Sequence, residues 1–347
     1  MERKASDKSA RWLCAVLFSA FAFSWFCFFQ KDLLCAAYNK LLYGIESPED
    51  LLTHNHIAVS LLLTLFALLL VFPGRFLLRF KRGLYACNYI LAAAFLGVIT
   101  GYDGSSILGQ SYTDWMVTGV FAVVLLLICK VISSIPRSEY NDRPRTVAGN
   151  LVIMSLLFCM TAYLGNTDEN LHRRLCMERL YAASDYAALL DVGRYEEESD
   201  RDIDLLRAKA MLNLPSDSNP DGSSIGEQLF NYSISDPQSL SISLKEMENE
   251  QAYLVSCLLD GNLAAFSDTI DLGAYNTLPK YYMQALLIAG DSIVPTRFPQ
   301  QYAQEKSTYD SFCESLALLE LEPKQYQSNA TFIKYHESYF WYYTFKR

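Results

Sequence analysis

The residues best placed to do chemistry are two histidines. His54 and His56 flank Asn55 and follow Glu46, Glu49 and Asp50. Imidazole nitrogens and carboxylate oxygens are the ligands of a zinc site. An i, i+2 pair does not share a helix face, however. The expectation is therefore a polar, solvated cap on the apolar segment beginning at Ile57, with no metal. The other histidines are His172 and His336. The chain has nine cysteines, at 14, 27, 35, 87, 129, 159, 176, 257 and 313, and no CxxC pair, so zinc-ribbon and thioredoxin-like motifs are excluded. Cys176, Cys257 and Cys313 read as small apolar residues on helices, with one disulfide open to them in an oxidising compartment. The acidic run Glu196, Glu197, Glu198, Asp200, Asp202 and Asp204 reads as a solvated turn entering a helix N-terminus, where negative charge is favourable. It lacks the DxDxDG spacing of a calcium loop. No Walker loop, GxGxxG, GxSxG or HExxH occurs. A Ser–His–Asp set would meet only in space. Asn231-Tyr-Ser and Asn329-Ala-Thr match the glycosylation sequon, which matters only in a eukaryotic secretory route. The expectation is no catalytic residue, no cofactor and no metal, and the reading leans away from an enzyme.

The elements that would hold such residues are dominated by apolar runs. Of 347 residues, 51% are hydrophobic and 19% charged. Spans at about 12–30, 55–73, 84–102, 115–135 and 146–164 match the ~20 apolar residues that a membrane helix needs. The first has a basic leader of Arg3, Lys4, Lys8 and Arg11. Its apolar run exceeds a signal-peptide core and no lipobox precedes Cys35, so it reads as an uncleaved anchor. Eleven Lys and Arg, in the leader and in the loops after spans two and four, oppose only Lys31 and Lys40 in the alternate loops. Basic loops stay in the cytoplasm, so the N-terminus is expected inside and residues 165–347 outside. The spans hold no Asp, Glu or His mid-membrane, unlike most transporters and pumps. Lys130 lies near the inner end of span four, where it can snorkel. Ala93, Gly97 and Gly101 recur every four residues on span three, a stripe that admits another helix at close range.

Residues 165–347 differ in kind. They carry fifteen Lys and Arg against twenty-eight Asp and Glu, a net of −13, whereas residues 1–164 have a net of +4. The asymmetry excludes a single globular domain, and an acidic exported half disfavours nucleic acid. Leu171, Leu175 and Leu180 begin a helical pattern over 168–183. Ser184 is placed to cap a helix that Gly193 stops, and Pro215 ends the next. The stretch 215–224 (PSDSNPDGSS) reads as a loop. Leu240, Leu244 and Met247 start a stripe running through Leu254 and Leu258. Gly261, Gly273, Gly290 and Pro323 punctuate the remainder of the chain. These stops have no clean 34-residue period. The fold class expected is all-α: a five-helix transmembrane bundle over 1–164, then a TPR-like or α-solenoid helical domain over 165–347. Phe332, Tyr335, Tyr339 and Tyr342 are placed on one face of a last helix docking on that domain.

The segments 202–213 (DIDLLRAKAMLN), 226–232 (GEQLFNY), 278–288 (LPKYYMQALLI) and 338–345 (SYFWYYTF) resemble a family of bacterial multi-pass membrane proteins with a TPR-like extracytoplasmic region. Its members have more spans and clearer repeats than this chain. The resemblance implies an inner-membrane location. It brings no activity and no site residues. The function expected is a membrane-anchored protein-interaction or assembly scaffold. Its partners are the lipid bilayer and a protein outside the cytoplasm. The alternative is a membrane enzyme acting on lipid or glycan, with its site in the outer loops at 31–56 or 103–114, around Glu49, His54, His56 and Asp103.

Overall fold

The computed structural model describes residues 2–44, 56–78, 84–101, 143–194, 196, 199–216 and 219–346. They are all-α apart from one small β-hairpin. The chain divides into two compact units, Met1–Leu175 and Cys176–Arg347.

In the first unit, α1 (Glu2–Ser24) continues through a π-helical turn, Trp25–Phe29, and is followed by α2 (Lys31–Tyr43). Next come α3 (His56–Leu69), α4 (Val71–Leu78), a 3-10 turn (Ala86–Tyr89) leading into α5 (Ile90–Ile99), and α6 (Arg143–Leu164). Among the described residues, three segments are long and apolar enough to cross a membrane: Ser9–Phe29, His56–Pro73 and Val147–Leu164. The helix expected over 84–102 is shorter, Ala86–Ile99, and the span expected over 115–135 lies outside the described residues. The core joins Phe18, Ala22 and Phe26 to Ala93, Leu96, Met154 and Leu157. Phe21 and Phe158 stack with ring centroids 3.9 Å apart. The buried Asn150 side chain accepts the Ala86 N–H at 2.8 Å, and Thr161 Oγ1 donates to the Ala93 carbonyl at 3.2 Å. The small-residue stripe is a packing surface. A Cβ on Gly97 would lie 2.3 Å from Leu164 Cβ, so α5 meets α6 at a distance that only glycine permits.

Burial on α3 is inverted relative to a water-soluble helix. Its buried residues are Ser60, Thr64 and Ala67. Ile57, Leu61, Leu62, Leu65, Phe66 and Leu69 are exposed. Apolar side chains outward and small or hydroxylated ones inward is the arrangement of a helix whose solvent is hydrocarbon.

In the second unit, α7 (Glu169–Ala182), which the division cuts, leads to α8 (Tyr186–Asp191) and α9 (Arg201–Asn213). The segment expected as a loop after Pro215 is an antiparallel hairpin of β1 (Pro215–Ser216) and β2 (Asn219–Ser223). Composition marks the turn but not the pairing of its flanks. Next come α10 (Ile225–Gln228), α11 (Pro237–Lys245), α12 (Glu250–Leu259), α13 (Leu263–Thr269) and α14 (Lys280–Ala289). The chain ends through α15 (Val294–Arg297), α16 (Pro299–Ala317), α17 (Lys324–Tyr335) and α18 (Tyr339–Phe345).

Three local expectations are corrected. Ser184 caps nothing: it takes a left-handed φ of 57°, and Asp185 accepts the Ala188 N–H instead. The stripe from Leu240 to Leu258 is two packed helices, because Asn249 caps α12 by accepting the Ala252 N–H. The aromatic C-terminus is likewise two helices, since the Ser338 hydroxyl accepts the Trp341 N–H and opens α18. Phe332 and Tyr342 therefore do not share a helix face. Docking of the last helix is what the structure shows: Tyr339, Phe340, Trp341 and Tyr342 are buried. The Tyr339 hydroxyl donates to the Leu258 carbonyl at 2.8 Å, and Gln284 Oε1 accepts the Tyr339 N–H at 2.6 Å.

Candidate functional site

α2 and α3 build a recess beside Gln30. Lys31, Cys35 and Tyr38 come from one face of α2, at i, i+4 and i+7; His56 and Ser60 come from one face of α3, at i and i+4; Phe26, Leu34 and Val59 complete the wall. The recess holds about 320 Å³ of atom-free space, its open mouth included. Ser60 is 1% exposed, and its hydroxyl has no hydrogen-bond partner. A buried unpaired hydroxyl costs about 1–3 kcal/mol, and this one is closed off from solvent. The nearby Gln30 is buried as well: its Nε2 donates to the Asn166 carbonyl at 3.0 Å, while its Oε1 is unpaired. A cation, a thiol, a phenol, an imidazole and a buried hydroxyl thus belong to the wall of one small recess, which has room for little more than a water-sized group.

His56 reaches this recess as the exposed first residue of α3, as a helix cap would. His54, Glu46, Glu49, Asp50 and Asp103 lie outside the described residues. Among the described residues no three His, Cys, Asp or Glu side chains group closely enough to hold a metal. Cys14, Cys27, Cys159, Cys257 and Cys313 are free thiols. Cys257 is buried as expected, but Cys313 is exposed and Cys176 half-buried, so neither is simple core.

Glu197 and Glu198 lie outside the described residues; among the described ones, the acidic run departs from its expectation at Asp204. Asp200 and Asp202 are exposed, and Asp200 caps α9 by accepting the Arg201 N–H at 2.7 Å. Asp204 is 2% exposed. It accepts from the Ser199 hydroxyl at 2.5 Å and from the Ser235 N–H and hydroxyl, each at 2.8 Å, and lies 3.8 Å from the Arg207 guanidinium. Arg207 donates to the Val192 and Gly193 carbonyls at 3.3 and 3.0 Å and lies 4.8 Å over the Tyr232 ring. This is a clamp joining α9 to the segments on either side, with every carboxylate oxygen engaged. The signal available in the sequence was the D-x-x-R spacing, which places the two side chains on one helix face.

The four segments that carry the family resemblance meet in the same core. Phe230 packs against Tyr281, Tyr339 and Tyr342 with centroids 5.0, 5.3 and 4.6 Å apart, and Arg207 covers Tyr232. Tyr281 donates to Asn231, and burial pushes the Tyr281 and Tyr282 hydroxyls well above the ordinary phenol range. What these segments share is packing rather than a reactive centre.

Among the described residues of the second unit, Ile242 and Ile293 are exposed singly, and further apolar side chains are exposed around α17. Leu318 and Leu321, 87% and 100% exposed, stand at the turn between α16 and α17. Tyr326, Ala330 and Ile333 succeed them at i, i+4 and i+7 on the outward face of α17, while Thr331 and Tyr335 face inward. Comparison with family models, curated proteins and solved structures gives no match to this chain.

Proposed function

We propose that the chain is a multi-pass protein of the cytoplasmic membrane that presents its acidic helical unit outside the cytoplasm as a protein-interaction scaffold. Membrane insertion is supported by the inverted burial of α3. The basic-loop count supports a cytoplasmic N-terminus. Helical hairpins such as α11–α12 and α16–α17 are the building unit of TPR-like and solenoid domains, which bind proteins on extended surfaces.

The observation that carries the interaction reading is the exposed apolar run Leu318, Leu321, Tyr326 and Ile333. Isolated exposed leucines are ordinary, but several exposed apolar side chains on one turn and the helix that follows it suit a contact surface. The unit is acidic, so the fitting partner is a protein with a neutral or basic face. Photocrosslinking from position 333 in native membranes tests this. One protein species should be enriched over an unrelated anchored control and lost when Leu321→Glu, Tyr326→Glu is added to the same chain. Equal recovery from the variant would end the interaction reading.

A second reading rests on the Ser60 hydroxyl. With Lys31, Cys35, Tyr38 and His56 it could serve an enzyme acting on lipid or glycan. That reading gains if Ser60→Ala or His56→Ala alters membrane lipid or glycan composition while crosslinking from position 333 finds no partner.

A further inference from the structure

The first unit has another opening, at the end of α1 away from Gln30. Arg11 and Trp12 of α1, Phe72 and Arg75 of α4, and Tyr85 and Asn88 ahead of α5 line it. It holds about 970 Å³ of atom-free space, its open side included, three times the recess at Gln30. Arg11 and Arg75 are exposed on its rim, and neither guanidinium is paired with a carboxylate among the described residues. No acidic side chain lines the opening among the described residues. Tyr85 is 8% exposed, Arg11 stacks over its ring at 4.6 Å, and its buried hydroxyl has no hydrogen-bond partner.

We propose that this opening binds the headgroup phosphate of an anionic phospholipid. Two guanidiniums with no carboxylate partner among the described residues and the Tyr85 phenol line one opening, where a phosphate would find planar, bidentate donors. The charged side chains among its described lining residues are both cationic, so a metal or a choline headgroup is disfavoured. A lipid fits better than a soluble anion because Trp12 and Phe72 stand exposed beside the arginines. The exposed Leu69 and Phe76 extend that apolar wall along α3 and α4. Acyl chains would lie along that wall while the phosphate sits at the depth of the aromatic belt. Basic pockets between membrane helices recognise anionic headgroups by this combination. The proposal rests on the membrane reading of α1 and α3, not on the side that the second unit occupies.

The test is native mass spectrometry of the full chain, purified from membranes and offered phosphatidylglycerol or phosphatidylcholine. A first step separates the two readings: release from membranes by alkaline carbonate refutes the membrane reading and the site with it, and retention leaves the lipids to decide. Wild type should hold phosphatidylglycerol in preference to phosphatidylcholine, and Arg11→Gln, Arg75→Gln should lose about tenfold or more of that preference. Both arginines are exposed, so the double variant keeps its fold. Tyr85→Phe retains the ring and the stacked guanidinium and should weaken the preference by a smaller factor. Lys31→Gln, at the other recess, should leave it unchanged. Equal binding of the two lipids, an unaffected arginine variant, or an equal loss in Lys31→Gln overturns the proposal. So does displacement of the lipid by excess inorganic phosphate that is itself retained, which would assign the site to a free anion.

Discussion

Asp204 and Arg207 show how a charged run conceals a structural residue. Composition makes 196–204 a solvated stretch, and Asp200 and Asp202 behave so. Asp204 faces inward because it falls one helical turn before Arg207 and beside Ser235, so the cost of burying the carboxylate is offset by its hydrogen bonds. Breaking one side of such a pair leaves an unpaired charge, at a cost of about 3–5 kcal/mol. Asp204→Ala should therefore lower the denaturation midpoint sharply, whereas Asp202→Ala should barely move it. A second residue carries a pH signature. Burial, with a contribution from Glu305, raises the Glu227 carboxyl above its ordinary value against the opposing pull of Lys280. The folded state therefore holds this proton more tightly than the unfolded state. Its stabilising contribution is full below the unfolded value and is lost as pH rises through the folded one. Glu227→Gln should gain stability relative to wild type above that window and converge with it in acid. Melting curves of the two proteins across pH, showing no convergence, would remove this assignment. The spacing D-x-x-R was legible in the sequence. The burial of Glu227 was not, because it depends on which helices stack over α10.

At the scale of elements, the stripe Ala93, Gly97, Gly101 was readable as a packing surface, but its partner was not. Apolar helices carry no pattern that names which neighbour they face, and only the fold shows that Leu164 occupies the space above Gly97. Gly97→Ala should force α5 from α6 and cost about 1–3 kcal/mol. Leu164→Gly in the same chain removes the clashing Cβ and should recover part of the loss, a coupling that thermal unfolding in detergent would read. Helix ends were legible where glycine or proline stops a run, as at Gly193, Gly290 and Pro215. They were missed where a polar cap divides a continuous apolar stripe, as Asn249 and Ser338 do. The outward face of α17 supports no core, so Tyr326→Glu, Ile333→Glu should shift stability by only about 0.5 kcal/mol. A large loss of stability in that variant would show that the face is packed and not free for a partner.

For the molecule as a whole, the split between an apolar, slightly basic half and an acidic, helical half was plain from charge and hydropathy alone. The all-α class emerged from the helical spacing of the apolar residues. What the sequence could not supply is the inside-out burial of α3, since its leucines and its hydroxyl residues sit in one uninterrupted apolar run. That burial is the strongest support for a membrane protein. Under the proposed topology the acidic unit lies outside the cytoplasm. Cys313 is an exposed thiol on α16, so the native chain carries its own reporter. Intact cells treated with a membrane-impermeant maleimide should show labelling of the wild-type chain that Cys313→Ser reduces, without any need to open the membrane. Labelling of Cys313 only after lysis would place the second unit in the cytoplasm and contradict the account.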